Sequence, residues 1–108
     1  MAAQTPKIVK HTVLLQFKDK ITREQIDNLI NDYTNLGSLI PAIKSFSWGT
    51  DLGLEPPGLN RGYTHAFEST FGSKAGLKEF LNSPVFDEFK KKYDFCVFQI
   101  LVIDYFLY

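Results

Sequence analysis

The chain's only two histidines, His11 and His65, are its natural candidates for proton transfer near neutral pH. Each lies in a segment of alternating side chains. "KHTVLLQF" (10–17) puts His11 on one face with Val13, Leu15 and Phe17. "GYTHAFESTF" (62–71) puts His65 with Tyr63, Phe67, Ser69 and Phe71, while Thr64, Ala66, Glu68 and Thr70 take the other face. If these strands are antiparallel neighbours with full overlap, His11 lies opposite Phe67 or Ser69, and His65 sits two to four residues along, roughly 7–13 Å away. That separation is too large for two ligands of one metal, and Glu68, the nearest acid in sequence, faces away. The expectation is therefore no metal and no cofactor, with both histidines as walls of a core or pocket. Nucleophilic catalysis has no support, because neither a G-x-S-x-G elbow nor a Cys–His pairing signal is present. "WGTDLGLEPPG" (48–58) lacks the Lys-Ser/Thr end of a phosphate loop and reads as a turn.

The elements that would hold these residues follow from periodicity. The β-rich run 8–17 predicts a first strand. Thr22 and Gln25 have capping-box spacing, and Ile26, Leu29, Ile30, Tyr33 and Leu36 form an apolar stripe, so 22–37 predicts a helix with Gly37 as a left-handed stop. Residues 43–52, with Phe46 and Trp48, predict a second strand; the Pro- and Gly-rich 53–61 is a loop, and 62–71 is the third strand. Ser73 caps a short helix (73–83) with Leu77, Phe80 and Leu81 inward, and Ser83 with Pro84 restarts a second (83–95) lined by Phe86, Phe89 and Tyr93. Residues 96–108 predict a last strand whose near-continuous apolar character implies cover on both faces.

The order β-α-β-β-α-α-β is ferredoxin-like, an α+β fold with a four-stranded antiparallel sheet, read as one domain over 1–108. Helices cover only one face of such a sheet. The other face (Thr12, Leu14, Gln16, Thr64, Ala66, Glu68, Thr70, Ile103, Tyr105) is part apolar, which predicts a homodimer stacked sheet on sheet. Between helices and sheet, Val13, Leu15, Leu29, Tyr33, Phe67, Phe80, Phe86 and Phe89 line either a filled core or a cleft for an apolar small molecule, with His11 and His65 in its walls.

Lys+Arg and Asp+Glu number 12 each, so the chain lacks the basic field for nucleic acid or an anionic membrane. Lys90–Lys92 is flanked by Asp87, Glu88 and Asp94 and reads as a solvated helix face. Cys96 is the only cysteine, is expected to be buried, and fits a reducing, cytoplasmic setting. The longest apolar run is broken by Gln99 and Asp104 and is too short to span a bilayer.

The segments "KHTVLLQFKDKITREQIDN", "YTNL", "LIPAIKSFSWGTDLG", "LNRGYTHAFESTF", "GLKEFL" and "LVIDYFLY" together resemble the stress-response dimeric α/β-barrel family of plants, over nearly the whole chain. The resemblance implies two ferredoxin-like subunits joining their sheets into one barrel. It is densest toward a boiling-stable poplar member, whose dimers close into a ring-shaped dodecamer with no established reaction. Residues 84–100 depart from that member, carrying bulky aromatics and three lysines where it is rich in small residues. Another member is a polyketide cyclase with a catalytic Tyr and His; the resemblance places Phe80 and Phe86 at those positions, and Ser83 at a further histidine, while His11 and His65 match. Neither phenylalanine can move a proton. The function implied is a non-enzymatic, heat-stable homo-oligomeric stress protein. The alternative is a small-molecule binder or cyclase-like enzyme with His65 as the remaining proton carrier.

Overall fold

A computed structural model describes residues 7–108. Its elements run β1 (Val9–Phe17), α1 (Arg23–Leu39), β2 (Ile43–Thr50), β3 (His65–Phe71), α2 (Lys74–Leu81), α3 (Pro84–Tyr93) and β4 (Val97–Phe106), with a 3-10 turn at Asp94–Cys96. The four strands form one antiparallel sheet in the order β2-β3-β1-β4, the ferredoxin-like arrangement the element order predicts.

Local chemistry starts each helix where the sequence places it. Thr22 accepts from the Gln25 backbone N–H, and the Gln25 side chain accepts from the Thr22 N–H, completing the capping box. Ser73 accepts from Gly76 N–H, and Ser83 accepts from Val85 N–H ahead of Pro84 in the first turn. The stop of α1 differs from expectation. The helix passes through Gly37 and ends at Ile40, whose extended backbone leads into Pro41. Gly37 is not among the glycines with positive φ, which are Gly53, Gly58 and Gly62 in the long β2–β3 connection. Leu36 and Ile40 are both buried, so packing carries the helix two residues past the glycine, to Leu39.

The helices cover one face of the sheet. Leu29, Ile30, Tyr33 and Leu36 of α1, Leu77 and Phe80 of α2, and Phe86 and Tyr93 of α3 pack on Val9, Val13, Leu15, Phe67 and Phe71. The molecule is therefore a slab of 55 × 35 × 17 Å, one sheet and one helix layer deep. Cys96 is buried, and burial pushes its thiol pKa up.

β4 is an edge strand and stays open among the described residues: Phe98 is 66% exposed, Ile100 55% and Ile103 55%, as expected of a sheet that needs a second layer to cover it. The third strand starts later than predicted, at His65, with Tyr63 and Thr64 outside it.

Candidate functional site

β1 and β4 bring a histidine and a carboxylate together. His11 is paired directly with Asp104 in the antiparallel register, and its Nδ1 lies 2.6 Å from Asp104 Oδ1. The same alternation that turns Val13 and Val102 toward the helices turns this pair there too. His11 is buried, and its ring meets Phe80 edge-on at 5.5 Å. A neutral His11 ring that donates Nδ1–H to this carboxylate keeps its lone pair on Nε2, the arrangement of a general base held in one tautomer by its acid partner.

This pair lines a cleft of about 370 Å³ between the sheet and helices α1 and α3. Of the residues expected to line such a space, His11, Val13, Leu15, Leu29, Tyr33, Phe86 and Phe89 do so. Three expected residues do not. Phe67 and Phe80 are fully buried in the core, below the cleft. His65 faces Leu15 across the β1–β3 ladder, four residues from the Ser69 that pairs with His11. There its Nδ1 lies 2.8 Å from Thr64 Oγ1, and its ring packs edge-on to Phe17 at 5.0 Å. Burial, then the nearby Arg23 charge, lowers the His65 pKa. His65 is thus a packed, weakly basic histidine outside the cleft.

Tyr33 is held in the cleft wall by stacking on Phe46 at 4.8 Å and Phe67 at 4.9 Å, with Phe89 edge-on at 5.2 Å. Burial raises its phenol pKa well above the ordinary tyrosine range, so the hydroxyl keeps its proton and can donate to an oxyanion. Phe86 stacks on the buried Phe80 at 4.1 Å, so of the positions matched to the cyclase pair one lines the cleft and the other backs it from the core.

Reading the sequence missed Asp104, Lys90, Tyr93, Asp94, Ile100 and Val102, all of which line the cleft. The available signal was a lone acid on the same face of the last strand as Val102 and Phe106, opposite His11 once β4 is antiparallel to β1. Tyr93 closes one side of the cleft: its hydroxyl donates to the Asp32 carboxylate, which also pairs with Lys92 at 2.9 Å, tying α3 to α1. The Tyr93 bond, then Lys92, holds the Asp32 pKa below its ordinary value.

The chain is similar in sequence and fold to proteins of known type. The stress-response A/B barrel domain-containing protein HS1 of Arabidopsis thaliana is 44% identical over 97 residues, 90% of this chain and 87% of that protein. Olivetolic acid cyclase of Cannabis sativa is 35% identical over 90% of this chain and 94% of its own. Stable protein 1 of Populus euphratica is 77% identical, but over 22 residues, 20% of this chain and 39% of that protein. The solved hydroxynitrile lyase of Passiflora edulis superposes with a TM-score of 0.89 at 39% identity, covering 96% of each chain. Less similar solved structures that share the fold are described as dimeric ferredoxin-like proteins. Residues 9–107 match the model of the stress responsive A/B barrel domain. The chain belongs to the stress-responsive A/B barrel domain (Dabb) family.

Proposed function

We propose that this chain is an acid–base enzyme acting on a small, largely apolar carbonyl compound or its cyanide adduct. The observation that carries this reading is the 2.6 Å His11–Asp104 pair in the wall of a 370 Å³ cleft with Tyr33. For a hydroxynitrile, His11 takes the hydroxyl proton. The O–H electron pair forms the C=O bond, the C–CN bond breaks, and cyanide leaves with its electrons. His11 then returns the proton to cyanide. Tyr33 donates to the oxygen as it gains charge, and the apolar walls keep water out. A cyclase reaction needs the same parts, with the proton removed from carbon beside a carbonyl. The names of the lyase and cyclase relatives support both substrate classes. The expectation of a non-enzyme rested on the family resemblance, the two-faced apolar sheet and the phenylalanines Phe80 and Phe86; the proton carrier proposed now is a different residue, on the sheet side of the cleft.

The test is binding followed at the ring nitrogens. Titration with benzaldehyde into ¹⁵N-histidine-labelled protein shifts the His11 signals and leaves those of His65 in place. Shifts confined to His65, or none, contradict the reading.

A second reading is favoured by the open sheet face, where Leu101, Ile103 and Tyr105 are exposed at 42%, 55% and 40%. It is a heat-stable, non-enzymatic homo-oligomer in which dimers stacked sheet on sheet assemble into a ring-shaped dodecamer. Dimeric structural neighbours support the first step. Molar mass in solution tests it: a monomer at micromolar concentration removes it, and a dimer leaves no ring.

A further inference from the structure

The three consecutive lysines at the end of α3 are not equivalent. Lys91 pairs with Asp87 at 3.0 Å and Lys92 with Asp32 at 2.9 Å. Lys90 pairs with no carboxylate among the described residues, although Asp94 stands one helical turn ahead. Its Nζ instead lies 4.7 Å from the centroid of the Phe86 ring. Lys90 and Phe86 both line the cleft that holds His11. The lining there is otherwise dominated by apolar groups, and of its two acids Asp104 is engaged by His11. An ammonium laid along an aromatic wall, with no protein counter-charge, has strong donors to give to an anionic ligand group.

We infer that Lys90 is a specificity-determining residue, holding the carboxylate of an aromatic or aliphatic acid whose apolar body fills the cleft. This rests on the cleft being the ligand site. All three lysines are exposed, as a solvated helix face requires, and Lys90 differs only in lacking a carboxylate partner among the described residues.

The test compares 3-phenylpropanoate with its neutral isostere 3-phenylpropanamide, each titrated while the His11 ring signals are followed. The wild type binds the acid on the order of tenfold tighter than the amide, the magnitude of one charge-assisted hydrogen bond. Lys90→Gln abolishes that preference, so that acid and amide bind with equal affinity. Lys91→Gln, which removes the same charge from the same helix, keeps it. Equal affinities in the wild type, or a preference that survives Lys90→Gln, overturn the assignment of Lys90 while the cleft stands. If neither compound moves the His11 signals, the cleft reading falls with it.

Discussion

His11 and Asp104 meet at 2.6 Å across adjacent strands, although 93 positions separate them in the chain. The pairing is direct in the ladder, so rigid backbone on both sides sets the distance. Asp104→Asn keeps the shape and removes the charge that fixes the His11 tautomer. Turnover falls about 10- to 100-fold with little change in melting temperature. Steady-state kinetics and a thermal melt on the same sample check both halves of this statement.

Acid should destabilise the fold in two steps. The folded-state pKa of His65 is depressed, so between that value and the ordinary 6.5 the unfolded chain binds more protons. Stability is full above pH 6.5 and declines as pH falls below it. Asp32 also has a depressed folded pKa, so its contribution is present above 3.8 and is lost as pH falls through the folded value. His65→Phe removes the first step and keeps the second. Urea midpoints across the pH range decide, and an unchanged first step in His65→Phe contradicts the account.

Tyr93→Phe deletes the hydroxyl that donates to Asp32 and leaves the ring in place. The expected loss is about 1 kcal/mol, a typical net hydrogen bond. Lys92 stays paired with Asp32, so the acid step below pH 3.8 shrinks without vanishing. A chemical denaturation series measures both.

Ile103→Glu puts a charge in the middle of the open sheet face. The proposed sheet-on-sheet dimer is expected to dissociate, so that light scattering reports the mass of a single chain. A monomer exposes β4 on both faces, so it is also the more aggregation-prone species. An unchanged dimer would place the interface elsewhere.

Much of the fold was legible because alternation and capping are local. The Thr22–Gln25 box, the Ser73 and Ser83 caps and the two-residue period of β1 and β3 each act within a few positions. Gly37 was misread because its local preference for a helix stop lost to the burial of Leu36 and Ile40, a tertiary effect. The site was half legible. His11, Tyr33, Phe86 and Phe89 follow from their own elements. Asp104 does not, because its importance lies in a register between the first and last strands. In the sequence it reads only as a break in an apolar run. The spacing of the histidines was legible: His65 shares the helix-facing side of the sheet with His11 and lies four residues along the ladder, within the two to four that strand geometry predicts.

The central claim is that His11 carries protons for a reaction in the cleft. It is tested most directly by turnover of two substrates, mandelonitrile and a linear poly-β-keto thioester, by the wild type and His11→Gln. The account predicts measurable turnover of at least one by the wild type, and a loss of roughly 10²- to 10⁴-fold in His11→Gln with the fold intact. Equal rates in the two proteins, or no turnover of either substrate by the wild type, would contradict it.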